Sequence, residues 1–181
     1  MSTILRVLRK ILNLLEEKNI PYMIIGGYAL PFYGRIRATL DIDVAVMVET
    51  EEEELEKLRE WLLSKSFDVE LFSPRNPCFV AVDREKGIEI KVWLKPDGIV
   101  FDQETLKRRK RAKLDNDLEA WIISPEDFIV NKLARPDRGA VDEQDVKSVL
   151  TRQRNKLDED YLKKRAKNAG VLKVLETIQK L

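Results

Sequence analysis

The stretch from Ile24 to Val48 decides the fold: I-I-G-G-Y-A-L-P-F-Y-G-R-I-R-A-T-L-D-I-D-V-A-V-M-V. An apolar segment ends at Gly26-Gly27, a linker follows, and a second apolar segment carries Asp41 and Asp43. Side chains two residues apart on a strand point to the same face, about 6 to 7 Å apart along it. The two carboxylates are therefore predicted to share one face of a strand. Apolar residues take the other face: Leu40, Ile42, Val44 and Val46.

Two carboxylates held side by side repel each other unless a positive charge lies between them. A divalent cation bound by oxygen ligands is the usual solution, and Mg²⁺ is usually held by one or two carboxylates together with substrate phosphates. The Gly26-Gly27 turn fits this setting, because glycine lets the backbone approach a phosphate and direct its N–H groups at the anion. The stretch therefore predicts a cleft in which a metal ion and phosphates meet.

The spacing of these residues resembles a known signature. Gly26-Gly27, thirteen residues, and then Asp41-Ile42-Asp43-Val44 is similar to the signature of the nucleotidyltransferase superfamily related to DNA polymerase beta. The longer string G-G-Y-A-L-x-x-Y-G-R-x-R-A-T-x-D-I-D resembles one branch, the minimal nucleotidyltransferases that include abortive-infection (AbiEii-like) toxins of bacterial and archaeal toxin-antitoxin pairs. The resemblance implies an α+β fold, with a mixed β-sheet, flanking helices and a C-terminal helical segment.

The resemblance also implies a reaction, the transfer of a nucleoside monophosphate from a nucleoside triphosphate (NTP) to an acceptor hydroxyl. Two Mg²⁺ ions, roughly 3.5 to 4 Å apart, would stabilise the attacking and leaving oxygens. Asp41 and Asp43 are the expected ligands of both ions, and Gly26-Gly27 is expected to hold the phosphates. Arg37 is expected to neutralise phosphate charge, and Thr39 to brace the turn by hydrogen bonding.

Polymerase-like sites use a third carboxylate from a neighbouring strand. Residues 88–94 alternate apolar and polar side chains as a strand does, and Glu89 is the only acid among them. Glu89 is therefore the candidate ligand of the catalytic metal and the candidate acceptor of the hydroxyl proton. The family more often has an aspartate here, and the alternative is that Glu89 and Lys91 simply face solvent.

A second resemblance lies downstream. Ser124-Pro125-Glu126-Asp127 is a strong helix start, and the helix that follows carries Lys132. Lys132, Asp142 and Asp145 match by position a family element in which a helical lysine and a later Asp-x-x-Asp recur. Lys132 could neutralise a phosphate or the leaving group, or form a surface salt bridge to Asp142 or Asp145. Asp142 could also cap the next helix.

The most basic stretch is Lys107–Lys113, K-R-R-K-R-A-K. It could bind the phosphate backbone of an RNA acceptor such as a transfer RNA through counterion release. The alternative is a solvated helix end, where cations are favoured by the helix dipole.

Composition excludes several classes of function. A chain of 181 residues suits one domain or a core with a small appendage. Its net charge of +1 is too small to attract nucleic acid or an anionic membrane through the charge of the whole protein. The absence of histidine excludes Ser-His-Asp and Cys-His catalysis and histidine-ligated zinc. Cys78 is the only cysteine, so no intrachain disulfide forms, which fits a reducing cytoplasm. No signal peptide is recognisable, and no stretch approaches the roughly 20 apolar residues that span a bilayer.

The periodicity predicts strands and helices over residues 1–123 and a helical extension over 124–181 that packs on them, and the resemblance implies that residues 1–123 are the catalytic core. Predicted strands cover residues 22–25, 69–72, 79–83, 88–94 and 119–123. Predicted helices cover residues 3–18, 28–33, 51–65 (with Thr50 and Glu53 as a capping box), 145–152, 158–168 and 171–181, and a further helix begins at Pro125 and includes Leu133.

Three functions stay open at this point. The first is a Mg²⁺-dependent nucleotidyltransferase, and the resemblance adds a possible cognate antitoxin as its partner. The second is a catalytically inactive protein of the same fold that binds a partner, and the third is a nucleic-acid-binding module. The sequence selects neither the base of the triphosphate nor the acceptor among RNA, protein and small molecules.

Overall fold

A computed structural model describes residues 2–39, 41–48, 52–73 and 77–180. Within these ranges the strands form one mixed sheet with the order β3-β4-β5-β2-β1-β7-β6. The β1–β7 and β2–β5 pairs are parallel, and the other neighbouring pairs are antiparallel. The strands are β1 (Tyr22–Ile25), β2 (Ile42–Val46), β3 (Phe67–Glu70), β4 (Cys78–Asp83), β5 (Glu89–Trp93), β6 (Lys110–Asp115) and β7 (Leu118–Ile122).

The helices are α1 (Thr3–Glu17), α2 (Gly26–Ala29), α3 (Glu52–Ser64), α4 (Gln103–Arg108), α5 (Pro125–Ala134), α6 (Ala140–Gln153), α7 (Glu159–Asn168) and α8 (Leu172–Gln179), with a 3₁₀ turn at Leu30–Phe32. The chain divides into two compact units. The sheet unit comprises Met1–Ile25, Leu40–Lys95 and Lys110–Ile122, and so holds the whole sheet with α1 and α3. The helical unit comprises Gly26–Thr39, Pro96–Arg109 and Ile123–Leu181.

Helix α1 covers one face of the sheet. It begins at Ser2, whose Oγ accepts a hydrogen bond from the Leu5 N–H at 3.3 Å. From α1, Lys10 donates to Asp83 Oδ2 at 2.7 Å, and Glu16 accepts from the Tyr22 hydroxyl at 2.8 Å. Apolar strand residues on this face are buried: Ile42, Val44, Val46, Phe79, Ala81, Ile90 and Val92. The apolar core of the sheet unit therefore lies between this face and its helices.

Helix α5 is the centre of the helical unit, because every residue from Pro125 to Leu133 is buried. Its start matches the predicted capping pattern. Ser124 Oγ accepts from the Asp127 N–H at 3.0 Å and donates to Asp127 Oδ2 at 2.9 Å. The Tyr161 hydroxyl donates to Asp127 Oδ1 at 2.9 Å. Burial raises the pKa of Asp127 despite these hydrogen bonds.

The predicted α+β class is confirmed, and strand β1 has the predicted bounds. Most other predicted elements differ at their ends by one or two residues, but α6 begins at Ala140, five residues before the predicted start. The predicted helix at residues 28–33 instead begins at Gly26 and ends in the 3₁₀ turn that contains Pro31. Thr50 lies outside the described residues, so the capping box there stays a prediction.

The basic stretch is not one helix end. It divides between the last turn of α4 and the edge strand β6. Strand β6 was not predicted, because its sequence K-R-A-K-L-D lacks the apolar alternation by which strands are recognised. Charged residues are usual on edge strands, where they oppose pairing with another chain. None of the described helices has the length and hydropathy needed to cross a bilayer.

Replacing Tyr161 with Phe removes the hydroxyl that donates to Asp127. A carboxyl whose pKa is raised on folding contributes stability that is complete below its unfolded pKa and is lost as the pH rises through the folded pKa. Because that hydrogen bond lowers the pKa of Asp127, its loss raises the pKa further and deepens the decline. We expect Y161F to cost about 1 to 3 kcal/mol at pH 8 and less at pH 4, measured by urea unfolding. An equal loss at both pH values would contradict this account of Asp127.

Candidate functional site

Polar residues collect on the face of the sheet opposite α1. Strands β2 and β5 are parallel neighbours, and Asp43 is the register partner of Lys91. Register partners point to the same face, as do residues two apart on one strand. This surface, called the carboxylate face below, therefore carries Asp41 and Asp43 from the β2 segment and Glu89, Lys91 and Trp93 from β5.

Two contacts fix the geometry of the carboxylate face. The Trp93 indole Nε1–H donates to Asp43 Oδ1 at 2.9 Å. The Lys91 Nζ lies 3.5 Å from Asp41 Oδ2. The side chain of Asp41 is 66% exposed and that of Lys91 is 39% exposed, so both reach solvent. The carboxylates are thus accessible to a ligand.

A cavity of about 260 Å³ adjoins these residues. Its charged lining consists of Asp41, Glu89 and Lys91. The rest of the lining is Gly87 and three apolar side chains: Ile4, Ile42 and Ile88. The predicted site residues Asp41 and Glu89 therefore line one cavity, together with the Lys91 ammonium.

The donor chemistry of the carboxylate face fits a divalent cation. Asp41 and Asp43 offer only oxygen atoms, the ligands that Mg²⁺ prefers, and two carboxylates with substrate phosphates make a sufficient set. Over residues 2–39, 41–48, 52–73 and 77–180, however, no three acidic or cysteine side chains converge into a group that could hold a metal. The structure brings Glu89 to the same face as the aspartates without completing a three-carboxylate cluster.

Cys78 lies beside the carboxylate face as the register partner of Trp93. Burial and, to a smaller extent, the Asp43 carboxylate raise the pKa of the Cys78 thiol to about 11, and the Lys91 ammonium opposes the rise. The thiol is therefore protonated at neutral pH, so Cys78 is not an activated nucleophile. The charges of Asp43 and Lys91 both act on the Cys78 thiol, which agrees with the positions of these two residues as register partners.

The glycine turn belongs to the helical unit. Gly26 has a φ of 65°, in the left-handed region that favours glycine. A Cβ at Gly27 would lie 2.5 Å from Thr39 Oγ1, so the Thr39 side chain leaves no room for one. Thr39 thus packs directly on the turn it was predicted to brace.

Asp145, which is completely buried, joins three cations in the helical unit. Its carboxylate accepts from Arg35 Nε at 2.9 Å and from Arg37 Nη2 at 3.2 Å, and the Lys132 Nζ lies 3.4 Å away. Arg35 and Arg37 remain 34% and 27% exposed. The group formed by these residues with Asp142, called the Asp145 cluster below, therefore presents two oriented guanidinium groups toward solvent.

Lys132 is placed differently from a surface residue. Its side chain is only 3% exposed, and its Nζ lies 2.9 Å from Asp142 Oδ1 as well as near Asp145. The predicted salt bridges are both present, but they are buried. Asp142 also accepts from the Gly139 N–H at 3.3 Å. It does so as the third residue of α6, whose N-cap is Gly139, and not as the N-cap that was predicted. Binding of phosphate by Lys132 stays a prediction.

Several cations of the basic stretch are paired within the protein. Arg108 Nη2 lies 2.8 Å from Asp158 Oδ2, and its guanidinium lies 3.8 Å from the Tyr161 ring centroid. Arg111 Nη1 lies 2.7 Å from Glu16 Oε1. These contacts reduce the charge that the stretch offers to RNA.

Sequence reasoning did not identify the roles of Trp93 and Asp145. Alternation along β5 placed Trp93 on the correct face, but a tryptophan gives no signal that it holds a carboxylate. Asp145 was matched to the family element, but its three partners come from segments far apart in the sequence.

Comparison with known proteins identifies relatives. A model of the family described as nucleotidyl transferase of unknown function (DUF2204) matches residues 4–175. No curated protein sequence matches the chain.

Solved structures share the fold at low sequence identity. Antibiotic-resistance factor ANT(2'')-Ia has a TM-score of 0.57 and 18% identity, and the match covers 97% of this chain and 96% of that chain. The lincosamide antibiotic adenylyltransferase LnuA, solved with lincomycin, has a TM-score of 0.53 and 17% identity over 82% and 96%. An antigenic nucleotidyltransferase-like protein from Paracoccidioides brasiliensis has a TM-score of 0.55 and 21% identity over 99% and 93%.

Gly27→Ala tests the close approach of Thr39. The added methyl group must displace the Thr39 side chain, so we expect a loss of about 1 to 3 kcal/mol in the free energy of unfolding, measured by urea denaturation. The double variant G27A/T39A removes the obstructing atoms and should recover most of the loss. A G27A variant as stable as the wild type would contradict the packing described here.

Asp145→Asn tests the buried centre of the Asp145 cluster. The substitution leaves three cations without their shared carboxylate, and we expect it to cost about 3 to 5 kcal/mol in unfolding free energy. Asp137, whose side chain is 72% exposed in its pair with Arg135, provides the control. D137N should change stability by less than about 1 kcal/mol. Equal effects of the two substitutions would argue against a central role for Asp145.

Proposed function

Because the chain belongs to the nucleotidyl transferase family whose model spans residues 4–175, we propose that it transfers a nucleoside monophosphate from an NTP to an acceptor hydroxyl and releases pyrophosphate. The observation that carries the proposal is the carboxylate face. There, Asp41 and Asp43 extend from one segment beside a cavity that Asp41 and Glu89 line.

The proposed metal ligands are Asp41 and Asp43. A bound Mg²⁺ would act as a Lewis acid on the phosphoryl oxygens and stabilise their developing charge. Trp93 supports this role by donating to Oδ1 of Asp43, which fixes the orientation of the carboxylate. Such outer contacts hold ligands in place without touching the substrate.

Glu89 is proposed as the acceptor of the hydroxyl proton. It is exposed at the start of β5 and lines the same cavity as Asp41, so an acceptor molecule in that cavity is within its reach. A carboxylate in hydrogen-bonding distance of a hydroxyl can take its proton as the oxygen attacks. Direct ligation of a metal by Glu89 stays a second proposal for the same residue.

In the helical unit, the proposed phosphate-binding residues are Gly26, Gly27, Arg37, Thr39 and Lys132. Gly26 adopts a left-handed conformation at the start of α2, and its backbone is proposed to approach the anion. Thr39 fills the space beside the buried Gly27 and is proposed to hold the turn in this shape. Arg37 is fixed by two donations to Asp145, so its guanidinium is oriented before any ligand arrives. Preorganised cations lose less entropy when they bind phosphate.

The acceptor and a toxin role remain proposals from the sequence. RNA, a protein hydroxyl and a small molecule are all candidate acceptors, and a cognate antitoxin is the candidate partner. The similarity to a lincosamide adenylyltransferase makes ATP the first triphosphate to test. The inactive alternative predicts that ATP with Mg²⁺ leaves the melting temperature of the protein unchanged.

Asp41→Asn and Asp43→Asn test the assignment. With each α-labelled triphosphate, Mg²⁺, and extracts of RNA or protein, we expect the wild type to transfer label and either variant to fall to background. Neither change removes apolar packing, so the melting temperature should stay within a few degrees of wild type. D68N provides the control, because Asp68 is an exposed carboxylate on β3 that pairs with Arg84.

Transfer by the wild type and D68N but not by the two variants would support the proposal. Undiminished transfer by both D41N and D43N would refute the assignment of the carboxylate face as the active site.

A further inference from the structure

Lys91 is a cation built into the carboxylate face. It is the register partner of Asp43 on one side and of Val80 on the other, so its backbone is held between two strands. Its Nζ lies 3.5 Å from Asp41 Oδ2. Asp41 is the one ion-pair partner that Lys91 has within the described part of the chain. The ammonium therefore lies beside one of the proposed metal ligands.

Stability does not account for this arrangement. The ion pair of Lys91 with Asp41 is exposed, and exposed ion pairs contribute little to folding. The ammonium instead lies 3.5 Å from a carboxylate oxygen of Asp41, which is a proposed metal ligand. A flexible side chain with three N–H donors can hydrogen-bond to a carboxylate or to a phosphate oxygen.

The net charge of the side chains on the carboxylate face limits the number of divalent cations that it can bind. Asp41, Asp43 and Glu89 carry three negative charges and Lys91 carries one positive charge. Before a triphosphate binds, one divalent cation brings this set to neutrality. A second divalent cation would leave an excess of two positive charges, with both ions repelled at close range by the Lys91 ammonium.

On the basis of the proposed function, we propose that the carboxylate face of the nucleotide-free protein holds one divalent cation, and that the Lys91 ammonium supplies the positive charge that a second ion would otherwise provide. This replaces the two Mg²⁺ ions expected from the family resemblance. Lys91 acts through its charge on Asp41 and on bound phosphate, and it is a positioning residue.

Binding of Mn²⁺, followed through the electron paramagnetic resonance signal of the free ion, tests the proposal without requiring any catalysis. The wild type should bind one Mn²⁺ per chain. Lys91→Met removes the charge and keeps an unbranched side chain that is one atom shorter. It should bind Mn²⁺ about tenfold more tightly and take up a second ion, because the repulsion within the face is gone. K91Q is a second neutral variant in case K91M folds poorly.

Two variants separate charge from other effects. K91R retains the positive charge and should bind one Mn²⁺ as the wild type does. K95M removes a charge from Lys95, an exposed residue that follows β5 and does not line the cavity, and should also match the wild type. Two ions on the wild type, or neutral variants with unchanged Mn²⁺ affinity, would overturn the inference.

The aspartate variants distinguish this inference from the proposed function. Loss of Mn²⁺ binding in D41N and D43N, together with unchanged binding in K91M and K91Q, would reject only the role of Lys91. Retained Mn²⁺ binding in both aspartate variants would reject the metal site on which both proposals rest.

Discussion

The parallel pairing of β2 with β5 is the constraint on which the candidate site depends. It sets Asp43 beside Lys91, and one step of alternation then places Asp41, Glu89 and Trp93 on the same face. Because side chains alternate along a strand, a slip of one residue would turn these groups into the apolar core and turn Ile90 and Val92 outward. The buried residues of the opposite face oppose that slip. The core thus determines the register, and the register determines which charges meet.

The helical unit orients its charges by a different principle. Asp145 is buried and collects Arg35, Arg37 and Lys132 around one carboxylate, whereas the carboxylate face arranges its charges by strand register at an accessible surface. Breaking a buried group of charges is costly, so these cations are fixed firmly. Lys91, in an exposed pair, is free to exchange partners when a ligand arrives. One unit offers rigid cations, and the other offers an adaptable one.

Much of this arrangement could be predicted from local sequence. Alternation placed Asp41 with Asp43 and Glu89 with Lys91, and the capping pattern at Ser124 predicted the start of α5. Contacts between distant segments could not be predicted in this way. A lysine is usually found at the surface, and the burial of Lys132 depends on the carboxylates of Asp142 and Asp145 in α6. Strand β6 exists because β7 offers it a partner, since its own sequence lacks a strand pattern.

Strand β6 also explains why a basic stretch need not be a binding site. It forms one edge of the sheet, where unpaired backbone groups invite a strand from another molecule. Lys110, Arg111 and Lys113 line that edge and are exposed. Two copies that approached edge to edge would bring like charges together, and the repulsion would weaken only as salt screens it. The same residues that suggest affinity for a polyanion therefore also oppose edge-to-edge pairing of two sheets.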